Sequence, residues 1–240
     1  MEMTSLAYLW PMLASEPRGD GHPVMVLPGF TAGDQSTLVL RRLLTRLNYN
    51  AIPWQLGQNT GSYEIQDRLL ARFEELVGEQ DEKITLIGQS LGGVFARILA
   101  TRWPERVRQV ITLGSPFASA STDSTNALVG QLFRYLSGMS EDEMRDQMLE
   151  FPSQALPVPS TAIYSKTDGV VHWSTCLEYA GEQAENVEVL GSHSGMGFNP
   201  MVLHVIADRL AQAEGRWAPF VRSQGCRSLL YPKPAAKSDG

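Results

Sequence analysis

Residues 84–100 read Ile84-Thr85-Leu86-Ile87-Gly88-Gln89-Ser90-Leu91-Gly92-Gly93-Val94-Phe95-Ala96-Arg97-Ile98-Leu99-Ala100. The stretch opens with an apolar run of strand length and closes with a helical pattern. Between them a serine stands between two glycines, the arrangement of a nucleophile elbow. So tight a turn needs glycine on both sides, because a side chain at either place would meet neighbouring backbone. The turn then holds the Ser90 hydroxyl out at the end of the sheet, over the start of the helix. G-x-S-x-G also recurs by chance as a plain glycine-rich turn. The strand before it and the helix after it are what give this one weight.

Outward from this stretch, short apolar runs alternate with helical patterns, which predicts parallel strands joined by crossover helices. The runs are Val24-Met25-Val26-Leu27, Ala51-Ile52-Pro53-Trp54, residues 84–87, residues 107–113, Thr161-Ala162-Ile163-Tyr164 and Val187-Glu188-Val189-Leu190. The near-continuous hydrophobicity of the first, third and fourth suits strands covered on both faces. Leu38, Leu40, Leu43, Leu44 and Leu47 recur at helical spacing, as do Ile65, Leu69, Phe73, Leu76 and Val77. Asn199-Pro200 opens a last helix with Val202, Ile206 and Leu210 on its buried stripe. The connection across residues 115–160 is far longer than the roughly 2–6 residues usual in α/β loops. Its own pattern predicts two short helices, the second opened by Ser140 and Glu143 as a capping box. Residues 117–158 therefore read as a small helical cap, inserted in a single domain that spans 1–240.

At 240 residues the chain suits one well-buried α/β domain with a modest insertion. A net charge of -6 without a basic stripe argues against nucleic acid as a partner. Cys176 and Cys226 match no metal-ligand spacing and read as buried or idle thiols in a reducing, cytoplasmic setting, with one disulfide as the competing reading. No metal site and no nucleotide-binding glycine loop is evident, so no cofactor is expected. No stretch approaches the ~20 apolar residues that span a bilayer. The apolar N-terminal patch of Leu6, Tyr8, Leu9, Trp10, Met12 and Leu13 reads as core, with peripheral membrane contact as the competing reading. The oligomeric state is not legible.

A serine hydroxyl is a poor nucleophile at neutral pH, so it needs a base, and the base needs a group that fixes its tautomer. Of the four histidines, His22 precedes the first strand and lies at the wrong edge of the sheet. His204 falls inside the last helix, and His172 starts a helix with Trp173. His193 sits in Gly191-Ser192-His193-Ser194-Gly195, a loop leaving the last strand at the same edge as the Ser90 turn. It is the expected base. Asp168 ends the preceding strand, in Ser165-Lys166-Thr167-Asp168-Gly169, and is the expected acid, with Asp123 as its rival. Asp-Gly is also a common turn dipeptide, so Asp168 rests on its position. The oxyanion formed on attack requires preorganised donors. The settings for two are the Leu91 N–H at the helix start and the Phe30 N–H in the loop Leu27-Pro28-Gly29-Phe30.

Taken together these residues resemble the α/β-hydrolase superfamily, and within it the lipase- and esterase-like serine hydrolases. The resemblance covers about residues 21–212. It rests on Leu27-Pro28-Gly29-Phe30, residues 88–93, Gly114-Ser115-Pro116, residues 165–169 and Ser192-His193-Ser194-Gly195, in the family's order. It implies Ser90 as nucleophile, Asp168 as acid, His193 as base and Phe30 with Leu91 as oxyanion donors. Many relatives carry His-Gly where this chain has Pro28-Gly29. The expected α/β fold is a minimal, mostly parallel sheet of about six strands, in spatial order 2-1-3-4-5-6, flanked by helices. The expected reaction is hydrolysis of a small-molecule ester or lipid-like substrate through an acyl-enzyme. Phe133, Met144 and Met148 of the cap are deformable and apolar, and suit an acyl chain. The same triad also fits an acyltransferase, and the fold alone fits a non-catalytic binding protein.

Overall fold

The computed structural model describes residues 16–118, 154–222 and 231–232. Six strands form one sheet: β1 (Pro23–Leu27), β2 (Asn50–Pro53), β3 (Ile84–Gln89), β4 (Val107–Leu113), β5 (Ser160–Tyr164) and β6 (Ala184–Glu188). Their order is β2-β1-β3-β4-β5-β6 and every pairing is parallel. This is the expected order, with no antiparallel strand among the described residues.

Four helices accompany the sheet among the described residues: α1 (Leu38–Arg46), α2 (Tyr63–Glu79), α3 (Leu91–Arg102) and α4 (Pro200–Leu210). Their starts follow local chemistry. The Ser62 hydroxyl accepts the Ile65 N–H to open α2, and the Asn199 carboxamide accepts the Met201 N–H ahead of Pro200 to open α4. α1 and α4 cover one face of the sheet with Leu40, Leu43, Leu44, Val202 and Ile206; α2 and α3 cover the other with Leu69, Phe73, Phe95 and Leu99. Successive side chains of a strand point to opposite faces. In β1, Val24 and Val26 enter the first core layer, Met25 and Leu27 the second. That division explains why the central strands read as unbroken apolar runs.

The last strand differs from the sequence expectation. Hydrophobicity pointed to residues 187–190, whereas β6 pairs Ala184 with Ser160 and ends at Glu188. β6 is an edge strand whose first half is polar. Glu185 and Asn186 are satisfied from outside the sheet by the Arg209 guanidinium, the Phe220 N–H and the Glu178 N–H. Leu190 lies beyond the strand and is 55% exposed. The predicted cap helices, with Phe133, Met144 and Met148, lie outside the described residues, as do Asp123, Cys226 and the N-terminal apolar patch.

Among the described glycines the closest approach of backbone to backbone is where β3 meets α3. A Cβ on Gly88 would lie 2.3 Å from the Gly92 carbonyl oxygen and 2.4 Å from the Gly93 Cα. The obstacle is backbone, so no rotamer relieves it. Gly88→Ala is expected to destabilise the chain by roughly 3 kcal/mol, lowering the melting temperature by roughly 6–12 °C. Gly78, exposed in α2 with nothing near its would-be Cβ, gives the opposite sign. Gly78→Ala is expected to raise the melting temperature by roughly 1–4 °C through helix propensity. Thermal melts followed by circular dichroism check both signs.

Candidate active site

Ser90 follows the last residue of β3 and is the N-cap of α3, with φ 51° and ψ −123°. Positive φ is uncommon for a residue bearing Cβ and costs on the order of 1–3 kcal/mol, so the surroundings must impose it. They do so on both sides. The Ser90 N–H donates to the Leu113 carbonyl of β4 at 2.8 Å, and the Ser90 carbonyl accepts the Gly93 N–H at 2.9 Å. A serine at this position ordinarily turns its oxygen onto the amides of the first helical turn. Ser90 makes no such bond. Its hydroxyl is not spent on the helix.

The loop after β1 borders the same turn. A Cβ on Gly29 would sit 3.3 Å from the Ser90 Cβ, and one on Gly92 would sit 2.4 Å from the Leu27 carbonyl oxygen. Within the loop the Gly29 carbonyl accepts the Ala32 N–H at 3.1 Å. In a planar trans peptide the N–H points opposite to the C=O, so this bond also sets the direction of the Phe30 amide. Leu91, the first residue of α3, has an N–H with no acceptor inside the helix. The far side of the loop is held by Asn59, whose side chain is fully buried. Its amide nitrogen donates to the Pro28 carbonyl at 2.9 Å, its oxygen accepts the Gly61 N–H at 3.1 Å, and its backbone pairs with Thr31 and Ala32. Asn59 thus supplies polar support where Pro28 cannot. Nothing in the polar stretch around it singles it out in sequence.

Asp168 and His193 are brought together. Asp168 Oδ2 lies 2.6 Å from His193 Nδ1, with the two side chains 2% and 12% exposed. Asp168 Oδ1 accepts the Val170 and Val171 N–H groups at 2.8 and 3.0 Å. Burial pushes the carboxyl upward, but the His193 ring and the Val171 and Val170 amides outweigh it and hold the group below its ordinary range. Asp168 is therefore an anion that fixes Nδ1 as the protonated ring nitrogen and leaves Nε2 as the basic one. The Gln89 side chain completes the cluster by donating to the His193 carbonyl at 3.1 Å. The residue preceding Ser90 in the chain is thereby bonded to the residue that carries the imidazole.

The other histidines are placed elsewhere. His22 is bonded to Asp20 and Thr85 at the opposite end of the sheet. His204 pairs with Glu16 behind α4, and His172 caps a short 3-10 turn with its ring on Ser174. Burial, followed by the Asp168 charge, pushes the Cys176 thiol up to about 12, which removes it as a thiolate nucleophile near neutrality. Among the described residues no cluster of His, Cys, Asp or Glu is placed to hold a metal, and no helix is long and apolar enough to cross a membrane.

A family model described as "alpha/beta hydrolase fold" matches residues 53–147. Among solved structures, Aspergillus fumigatus lipase B superposes with a TM-score of 0.67 at 16% identity, over 91% of this chain and 60% of that one. The chain is an α/β-hydrolase-fold protein. Mouse alpha/beta hydrolase domain-containing protein 10 aligns with TM-score 0.58 and 13% identity, over 81% of this chain and 90% of that one. For the Bacillus licheniformis lipase BlEst2 the values are 0.55 and 14%, over 82% and 95%. No curated protein sequence matches the chain. At such identities the α/β-hydrolase likeness concerns architecture, and the chemistry must be argued from the residues.

The depressed ionisation of Asp168 fixes a sign. A carboxyl with a lowered folded-state pKa contributes stability above its unfolded value of about 3.9, and loses it as pH falls through the folded value. Asp168→Asn is thus expected to lower the urea midpoint at pH 7, with the gap to the parent closing toward pH 3. A gap independent of pH would contradict this.

Proposed function

We propose that this chain is a serine hydrolase of carboxylic esters, acting through an acyl-enzyme on Ser90. The observation that carries the reading is the pairing of two features at one sheet edge. One is a serine locked at φ 51° with its hydroxyl withheld from the helix. The other is a buried Asp168–His193 pair hinged to the neighbouring Gln89.

In the first half-reaction Ser90 Oγ attacks the ester carbonyl carbon while His193 Nε2 takes its proton. The C=O electron pair moves onto oxygen, where the Phe30 and Leu91 N–H groups receive it. Each such donor is worth about 3–4 kcal/mol in the transition state. Collapse re-forms the C=O bond and expels the alcohol, to which the imidazolium returns the proton. Water then repeats the sequence against the acyl-enzyme and releases the acid. The Asp168 carboxylate stays ionised throughout and stabilises the transient imidazolium.

Ser90→Ala is expected to lower turnover of a p-nitrophenyl ester by ~10⁴-fold or more while leaving the melting temperature unchanged, and His193→Ala to fall comparably. A fluorophosphonate probe is expected to form one adduct, mapped by mass spectrometry to the peptide containing Ser90. Wild-type turnover in the Ser90→Ala protein would refute the assignment.

A further inference from the structure

We propose that Gln89 is a positioning residue that sets the separation between the Ser90 hydroxyl and the His193 imidazole. The proposal rests on the ester-hydrolase reading of this site. Gln89 is the last residue of β3, adjacent to Ser90 in the chain, and its backbone is registered against Leu113 of β4. Its side chain reaches the loop that follows β6 at two points. The amide nitrogen donates to the His193 carbonyl at 3.1 Å. The amide oxygen lies against Gly197, where an added Cβ would be only 3.2 Å away.

The other bonds to the loop explain why this contact matters. Asn199 ties its end to the Leu190 carbonyl at 2.7 Å, and Gly195 closes a turn on Ser192 at 3.2 Å. Among the described residues the His193 carbonyl receives the Gln89 amide and a longer 3.5 Å approach from the Met196 N–H. Asp168 holds the far end of the imidazole and fixes its tautomer, but from a different strand. Without Gln89 the distance from nucleophile to base would rest on longer paths, through β4, β5 and β6 and through Met196, which is buried in the core against Gly114 just past β4. With it, the distance is set by one side chain that starts at the residue bonded to Ser90. Misplacement of a reacting group by about 1 Å costs roughly 100-fold in rate, so a direct strut has a large effect.

The requirement is specific. The position needs a donor for a carbonyl at the reach of a glutamine, with a small, uncharged acceptor end facing Gly197. Glutamate would set an anion against the His193 carbonyl, and asparagine would fall short by one methylene. Gln89→Met keeps the length and shape and removes the hydrogen bond alone.

The test compares Gln89→Met, His193→Ala and the double variant in p-nitrophenyl ester hydrolysis, with Ser90→Ala as reference and thermal melts on every protein. Gln89→Met is expected to lower kcat by roughly 10- to 100-fold with KM within about twofold, and to slow fluorophosphonate labelling of Ser90 in parallel. In the His193→Ala background the same substitution is expected to have no further effect, because a residue that acts through the imidazole is silent once the imidazole is gone. Wild-type kcat in Gln89→Met would overturn the proposal, as would an effect of equal size in both backgrounds. If Ser90→Ala retains turnover, the ester-hydrolase reading itself has failed. If Ser90→Ala is inactive while Gln89→Met is wild-type, only the strut has failed.

Discussion

The structure hangs on the contact between the end of β3 and the first turn of α3. Backbone meets backbone there, with Gly88 against Gly92 and Gly93, and Gly92 in turn against the Leu27 and Pro28 carbonyls of the neighbouring strand end. A helix seated this close to the sheet forces the connecting residue through a bend that ordinary φ/ψ values cannot make. Ser90 takes the strain, which is on the order of 1–3 kcal/mol. The burial of α3 offsets it, since Phe95 and Leu99 are both fully enclosed and each contributes about 1.5–3 kcal/mol. The unusual backbone of Ser90 is thus a consequence of packing, and the liberation of its hydroxyl is a consequence of the backbone.

Parallel topology does the rest of the assembly. In a sheet of this kind all loops after strands emerge at one edge, and ligands collect there. The loops after β1, β3, β5 and β6 bring Phe30, Ser90, Asp168 and His193 to that edge from distant parts of the chain. Another cluster of carboxylate, imidazole and hydroxyl shows what the location adds. At the opposite edge Asp20 Oδ1 lies 2.5 Å from His22 Nδ1, and His22 Nε2 lies 3.0 Å from the Thr85 hydroxyl. Carboxylate, imidazole and hydroxyl are all in sequence, yet Thr85 is fully buried in an ordinary strand and His22 is 1% exposed. Burial there depresses the His22 pKa, against the pull of Asp20. The trio pins strand starts together, and its hydroxyl, unlike the half-exposed Asp20, is closed off from solvent. The chemistry proposed for the other edge depends on the elbow as much as on the groups themselves.

Much of this could be read from the chain because its signals are local. The glycines flanking Ser90, the two-sided apolar runs and the Asn199-Pro200 helix start each have a cause within a few residues. The sheet order then follows from parallel crossovers around the central strand. The missed features have causes distant in sequence. β6 begins before its hydrophobic part because pairing with β5, and bonds from Arg209 and Phe220, accommodate polar residues at an edge. Asn59 and Gln89 carry no pattern of their own; a glutamine between Gly88 and Ser90 looks interchangeable until its reach to the His193 carbonyl is known.

Arg97 extends the same lesson into the apolar side of α3. An arginine amid Phe95, Ala96 and Leu99 breaks the helix's hydrophobic run and signals a buried partner, but the sequence does not say which. The partner is Glu178, gripped through both carboxylate oxygens by Nη1, with Nη2 on the Gln154 carbonyl and the guanidinium 4.1 Å from the Phe117 ring centre. A buried pair of this kind is weak evidence for net stability, because desolvating two charges offsets most of their attraction. What it does supply is definition. Phe117 and Gln154 lie near the two ends of the long connection between β4 and β5, and Glu178 lies on the chain between Asp168 and β6. One side chain on the helix that begins at Ser90 therefore fixes three segments relative to the elbow, in the way that Gln89 fixes a fourth.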